Sequence, residues 1–79
     1  MYNEIKERVI EILQNNGYFF ESYDENEDLY FDSLQFMTTL IDIEEEFNII
    51  IPEEYVYDNK LNTIKDYCNM IIQISCGID

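Results

Sequence analysis

The stretch DLYFDSLQFMTTLIDIEEEF, residues 28 to 47, decides the fold of this chain. From Ser33 to Phe47 its apolar residues recur at intervals of three and four, the period of an amphipathic α-helix. Asp32 is a favoured N-cap residue, and Gln35, three residues later, completes a capping box. We therefore predict a helix that begins at a well-defined place and ends at Phe47.

This predicted helix carries two apolar stripes. The first consists of Phe36, Leu40, Ile43 and Phe47. Burying each of these side chains should contribute about 1.5 to 3 kcal/mol before the entropy cost, so we expect this stripe in the core. The second consists of Leu34, Met37 and Ile41 and points roughly a quarter to a third of a turn away. Either both stripes are core, or the second is exposed and docks a partner, with methionine as an adaptable contact and Glu44 and Glu45 beside it.

Three other segments are predicted to be helical, over residues 3–15, 53–57 and 63–74. The sequence Asn15-Asn16-Gly17 is typical of a helix C-terminus. Thr63 with Asp66 three residues later resembles a capping box, and Pro52 suits the first turn of a short helix. The fold predicted for the single domain of residues 1–79 is therefore all-α, with three longer helices and one short third helix.

Two connections separate these helices. Residues 17–32 form a long loop, and we expect Tyr18, Phe19 and Phe20 to hold it against the core. The isoleucines at 49–51 have the character of a strand, but the sequence offers no second strand to pair with them. We therefore interpret them as a connection.

The charge balance limits the partners of the chain. Eighteen Asp and Glu residues against four Lys and Arg residues give a net charge of −14, and the chain has no histidine. Such a surface disfavours nucleic acid and anionic lipid, which require Lys and Arg to neutralise phosphate. It favours basic protein surfaces or divalent cations. The alternative interpretation is that the acidic surface only aids solubility.

Other features favour a cytoplasmic location, and we expect a monomer. The N-terminal MYNEIKERVI contains no apolar stretch of a signal peptide, and no segment has the length of a membrane span. Cys68 and Cys76 lie eight residues apart, about 12 Å along a helix, which is beyond disulfide reach unless the end of the helix unwinds. Without histidine, neither a two-cysteine zinc site nor a Cys-His nucleophile can form, so we expect free thiols.

A calcium loop is an alternative for the acidic stretch DENEDLYFDSLQ, residues 24 to 35. The candidate ligands, at loop positions 1, 3, 5 and 9, are Asp24, Asn26, Asp28 and Asp32. Position 6, where such loops need glycine, is Leu29, and position 12, where they need a bidentate glutamate, is Gln35. We therefore predict no metal site here.

Ser33 calls for an explanation because Asp32 already accounts for the start of the helix. Ser33 is the first helical residue, so we expect its hydroxyl to point outward beside the positive end of the helix dipole. A phosphate group attached there is electrostatically favoured. The alternative interpretation is that Ser33 has no special role, because serine is common at the first position of a helix.

The pattern D-L-x-x-D-S-L at 28–34, together with E-E-E-F at 44–47 and I-P at 51–52, resembles the acyl and peptidyl carrier protein family. The likeness extends over nearly the whole chain and implies a four-helix bundle of the acyl-carrier type. It implies that Ser33 carries a covalent 4′-phosphopantetheine arm, with Asp32 as the motif aspartate. The arm is transferred from coenzyme A by a phosphopantetheinyl transferase, and its thiol holds the cargo as a thioester.

The resemblance also assigns a role to the second stripe. In the family, partner enzymes contact the apolar positions one, four and eight residues after the serine, which here are Leu34, Met37 and Ile41. The implied partners are a ligase that activates an acyl or aminoacyl group and the downstream transferases.

The chain departs from the family pattern at three positions. Tyr30 replaces the usual glycine of the motif, and Gln35 and Thr38 stand where fatty-acid carriers usually place acids. The negative patch remains only at Asp42, Glu44 and Glu45. These departures, and the spacing from Pro52 to the last helix, favour an aminoacyl carrier, including the D-alanyl type, or a specialised acyl carrier over a fatty-acid carrier.

Two other classes of function remain as alternatives. An adaptor with the same helices would use the docking stripe without modification of Ser33. An enzyme is disfavoured because the chain has no histidine and no convincing acid–base pair, so we expect no catalytic residues.

Overall fold

The structure is a computed structural model that describes residues 2–18, 24–30, 32–57 and 61–75. Over these residues the chain forms four helices and no named strand. They are α1 (Tyr2–Asn15), α2 (Ser33–Phe47), α3 (Glu53–Tyr57) and α4 (Ile64–Ser75). The all-α prediction is confirmed. The predicted bounds of α2 and α3 match, whereas α1 begins one residue earlier and α4 lies one residue later than predicted.

Helix α1 ends in the backbone pattern known as the Schellman motif. Gly17 adopts a positive φ of 89°, its N–H donates to Gln14 O at 3.0 Å, and Tyr18 N–H donates to Leu13 O at 2.9 Å. The half-buried Tyr18 then packs against the core, as predicted. Phe19 and Phe20, assigned the same role, lie outside the described residues.

The loop of residues 24–30 is bonded to the start of α4. Leu29 N–H donates to Asn62 O at 2.7 Å, and Lys65 N–H donates to Glu25 O at 3.0 Å. The Glu25 carboxylate also forms an ion pair with Lys6 on α1 at 3.2 Å. These bonds hold the segment that leads into α2 against both α1 and α4.

The C-terminus of α2 and the N-terminus of α4 are both capped. Asn48 ends α2 in the left-handed conformation, with φ 54°. At the start of α4, Asp66 N–H donates to Thr63 Oγ1 and Thr63 N–H donates to the Asp66 carboxylate, both at 3.1 Å. The predicted capping box of α4 is therefore confirmed, with Thr63 as its cap.

The side chains of the isoleucine segment, residues 49–51, alternate between the core and solvent, but the segment does not form a strand. Ile49 and Ile51 pack against the core, and Ile50 between them is 83% exposed. The Ile51 N–H, which a strand partner would otherwise satisfy, donates to the Glu44 carboxylate at 2.9 Å. The Glu44 side chain thus accepts the hydrogen bond that a neighbouring strand would accept in a sheet.

The core lies where α1 packs against α4 and α2. Its buried apolar residues are Val9, Ile12, Leu13, Leu40, Ile43, Leu61, Ile64, Tyr67, Cys68, Met70 and Ile71. Helix α4 contributes five of them, more than any other helix, while α3 contributes no buried residue and packs through the half-buried Tyr55 and Val56. The short helix therefore forms a wall at the edge of the core.

Three ionisable groups in or against the core have raised pKa values. Burial raises the pKa of the Cys68 thiol to about 11. Burial, with smaller contributions from Cys68 and Glu25, raises the pKa of the Tyr2 phenol to about 12. Burial and the neighbouring Asp66 raise the pKa of the Tyr67 phenol. The folded protein therefore keeps these groups protonated at pH values where the unfolded chain loses their protons. The predicted free thiol is confirmed for Cys68, and Cys76 lies outside the described residues.

We predict a loss of stability in alkali to which Cys68 contributes directly. Its pKa is about 11 in the folded protein against an ordinary value of 9.0. Its contribution is therefore complete below pH 9 and lost as the pH rises toward 11, because the unfolded state gives up its proton first. Urea unfolding between pH 8 and 10.5 measures this loss. The Cys68→Ala variant should lose less free energy of unfolding over that interval than wild type, and parallel curves for the two proteins would contradict the assignment.

Candidate modification site

The start of α2 is fixed by a reciprocal pair of hydrogen bonds. Gln35 N–H donates to Asp32 Oδ1 at 2.7 Å, and Asp32 N–H donates to Gln35 Oε1 at 3.4 Å. Asp32 has the extended backbone of an N-cap residue, with φ −79° and ψ 170°. The predicted capping box is confirmed, and Asp32 serves as its cap.

Ser33 is the first residue of α2 and is exposed. Because Asp32 Oδ1 accepts the bond that an N-cap supplies, the Ser33 hydroxyl is not needed to begin the helix. It lies beside the N-terminal backbone N–H groups, where the helix dipole favours negative charge. An anionic group attached to Ser33 is therefore electrostatically compatible with its position.

A cleft of about 260 Å³ opens beside Ser33. It lies between the start of α2, helix α3 and the segment before α4. Its lining residues are Leu29, Asp32, Ser33, Phe36, Tyr55, Val56, Leu61 and Asn62. The apolar side chains come from four separate segments, so a group carried on Ser33 has a partly apolar surface within reach.

Sequence reasoning missed most of this cleft. Tyr55, Val56, Leu61 and Asn62 lie more than twenty residues from Ser33 and belong to no motif. Leu29 N–H donates to Asn62 O, which draws the loop before α2 toward the segment before α4. The isolated antiparallel bridge between Asp28 and Thr63 has the same effect. No pattern in the sequence predicts this long-range pairing.

Tyr30, which stands in place of the family's usual glycine, does not adopt a positive φ. Its side chain is 80% exposed. The loop before Ser33 therefore needs no glycine at this position, as the sequence required.

The second apolar stripe of α2 is exposed. Leu34 is 74% exposed, and Met37 and Ile41 are each 49% exposed. On the first stripe, Leu40 and Ile43 are buried and Phe36 and Phe47 are half-buried against the core. The interpretation in which both stripes belong to the core is therefore wrong. The role of the exposed stripe as a docking surface stays a prediction.

The acids of α2 differ in their surroundings. The Glu44 carboxylate accepts the Ile51 N–H at 2.9 Å and is half-buried. Asp42 accepts the side-chain amide of Asn16 at 2.8 Å, and Glu46 pairs with Arg8 at 3.3 Å. Glu45 is exposed. Glu44, a residue predicted to contact partners, thus bonds to the segment that follows α2. Glu45, the other acid predicted to contact partners, has an exposed side chain.

The described part of the chain contains neither a metal-binding cluster nor a membrane-spanning helix. Within the described residues, no group of three or more His, Cys, Asp or Glu side chains is placed to hold a metal ion. In the same part of the chain, no helix is long and apolar enough to cross a membrane.

Comparison with known proteins identifies no relative. No family model matches the chain, and neither the curated proteins nor the solved structures include a match. The likeness to carrier proteins therefore depends on the motif residues and their placement, and it stays a prediction.

We predict that Asp32→Ala lowers the free energy of unfolding by about 1 kcal/mol, the usual cost of removing an N-cap side chain. Ser33→Ala should change it by less than about 0.5 kcal/mol, since Ser33 is an exposed residue outside the cap. Urea unfolding at neutral pH measures both. Equal losses in the two variants would show that Ser33 takes part in capping.

We also predict opposite behaviour for two isoleucines on α2. Ile43 is fully buried, so Ile43→Ala should cost about 2 to 5 kcal/mol. Ile41 is half exposed, so Ile41→Ala should cost about 1 kcal/mol or less. The residue type and the helix are the same in both variants, so thermal and urea unfolding compare burial alone. A similar loss in both would place Ile41 in the core.

Proposed function

We propose that this protein is a carrier that holds an acyl or aminoacyl group as a thioester on a 4′-phosphopantetheine arm attached to Ser33. Its structural type is then the four-helix acyl-carrier bundle. The observation that carries the proposal is the position of Ser33, exposed at the first residue of α2 beside an independent Asp32 cap.

The chemistry of the attachment agrees with this position. A phosphopantetheine arm is joined to serine through a phosphodiester, which keeps one negative charge next to the serine oxygen. That charge would lie at the N-terminus of the fifteen-residue helix α2, where the dipole is favourable. The transferase supplies the activation of the Ser33 hydroxyl, so the carrier itself needs no catalytic base.

The surface around Ser33 supports repeated contact with partner enzymes. Leu34, Met37 and Ile41 extend along α2 from Ser33 and leave apolar area in water. A carrier must be recognised in turn by its transferase, its ligase and downstream transferases. An apolar stripe that contains an adaptable methionine suits binding to several partners in succession.

The cleft beside Ser33 favours a compact cargo. Its apolar lining from Phe36, Val56 and Leu61 can shelter part of the arm or a small acyl group, and Asp32 and Asn62 make the lining partly polar. The departures from fatty-acid carriers at Gln35 and Thr38 point the same way. We therefore rank an aminoacyl or specialised acyl cargo above a long fatty acyl chain.

The second candidate is an adaptor that acts only by binding other proteins. The exposed stripe favours it as much as it favours a carrier, because docking does not require an arm. The modification of Ser33 distinguishes the two functions.

We predict that one phosphopantetheine group is added to Ser33. Incubation with coenzyme A, Mg²⁺ and a broad-specificity phosphopantetheinyl transferase should raise the intact mass by one arm in the wild type and leave Ser33→Ala unchanged. Ser22→Ala is the matched control and should be modified like the wild type. A wild-type protein that stays unmodified while a known carrier is fully converted would exclude the carrier function and leave the adaptor.

A further inference from the structure

The side chain of Gln35 joins the start of α2 to the end of α1. Its Oε1 accepts the Asp32 N–H at 3.4 Å, which is half of the capping box. Its Nε2 donates in the other direction, to the backbone oxygen of Asn16 at 3.3 Å. One amide group thus makes two bonds, to the residue before Ser33 and to the last turn of the neighbouring helix.

The turn at Gly17 presents the Asn16 oxygen to Gln35. The peptide between Asn16 and Gly17 directs its N–H back to Gln14 O in α1. Because the N–H and C=O of a trans peptide point in opposite directions, the Asn16 oxygen points away from α1. The φ of 89° at Gly17 permits this orientation, and an added Cβ there would lie 3.5 Å from Gln35 Nε2. The two helix ends are therefore in close contact.

A second bond holds the same two helices together about two turns further along α2. The side-chain amide of Asn16 donates to the Asp42 carboxylate at 2.8 Å and to Ile12 O at 2.9 Å. Asn16 is thus bonded to α2 through its backbone at Gln35 and through its side chain at Asp42. The rotation and position of α2 relative to α1 are set at two points rather than one.

An amide is needed at position 35, and a carboxylate cannot replace it. Glutamate could still accept the Asp32 N–H and complete the capping box. It has no N–H to give, however, and would place a negative oxygen beside the Asn16 carbonyl. Thr38 is the other departure from the family's acids. Its hydroxyl donates to the backbone of its own helix, with Oγ1 3.0 Å from Leu34 O and 3.2 Å from Gln35 O.

We propose that Gln35 is a positioning residue for Ser33, acting through the bond from its amide to the Asn16 oxygen rather than through contact with partner enzymes. The bond holds the first turn of α2 against α1, so that the Ser33 hydroxyl is presented in one place. The modification itself rests on the function proposed above, whereas the bond and its effect on the helix start do not.

Protein stability tests the bond independently of function. Capping and the helix dipole alone predict that Gln35→Glu is neutral or stabilising, whereas loss of the bond to Asn16 predicts a lower urea midpoint. The comparison is made in the Asp32→Ser background, which removes repulsion between two carboxylates. Asn69→Asp on the exposed face of α4 is the control for added charge. A midpoint that is unchanged or higher in Gln35→Glu would overturn the proposal.

Transferase kinetics test the positioning. If Gln35 positions Ser33, Gln35→Glu should lower kcat for phosphopantetheine transfer, roughly fivefold for one lost hydrogen bond, with little change in the KM for the carrier. Ile41→Ala, on the docking stripe, should instead raise KM. If position 35 faces the partner as the family's acid does, Gln35→Glu should lower KM. That result, or kinetics equal to wild type, would refute the positioning role.

The two proposals fail in different ways. If wild type is not modified at all, the carrier function is excluded, and amide hydrogen exchange at Gln35 and Phe36 decides the inference. Exchange should then be faster in Gln35→Glu in the Asp32→Ser background than in Asp32→Ser alone, because glutamate keeps the capping acceptor but cannot donate to Asn16 O. Unchanged exchange in that variant would refute the bond. If wild type is modified but Gln35→Glu is modified at the same rate, only the inference fails.

Discussion

The joint between the end of α1 and the start of α2 is the constraint on which the site depends. Gly17 turns the backbone so that Asn16 O faces α2, and Gln35 donates to it while completing the cap with Asp32. The exposed Ser33 is positioned by backbone and amide hydrogen bonds, not by burial of its own side chain. An exposed residue with a well-defined place is what the proposed modification of Ser33 requires.

Because the chain is small, hydrogen bonds between segments have a large part in holding its connections in place. A domain of 79 residues buries a limited fraction of its surface, and its core is concentrated between α1, α2 and α4. Among their described residues, the loop of residues 24–30 before α2 and the segment before α4 contribute one buried apolar side chain, Leu61, and the partly buried Leu29. The two segments are also held by the bond from Leu29 to Asn62 and by the bonds of Glu25 to Lys6 and to the Lys65 N–H. The cleft beside Ser33 exists because of these pairings.

The two faces of α2 differ in burial. Leu40 and Ile43 face the core, and Leu34, Met37 and Ile41 face solvent on the same fifteen-residue helix. The charge is divided as well. Asp42, Glu44 and Glu46 each bond to another part of the chain, and residues 33–41 contain no charged side chain. The stretch of α2 that follows Ser33, as far as Ile41, is therefore uncharged in spite of a net charge of −14.

The sequence by itself determined the helices and their caps, and it separated the apolar residues of α2 into two stripes without deciding whether the second one is exposed. These features depend on local physics: Asp32 with Gln35, Thr63 with Asp66, and Gly17 after Asn16 each act within a few residues, and periodicity separates the two faces of α2. Only the tertiary structure decided that Gln35 donates to Asn16, that Glu44 replaces a strand partner for Ile51, and which residues line the cleft. Each of these contacts joins residues whose relative placement follows from the packing of helices on one core. Two residues distant in sequence become donor and acceptor only after that packing has set their distance and direction.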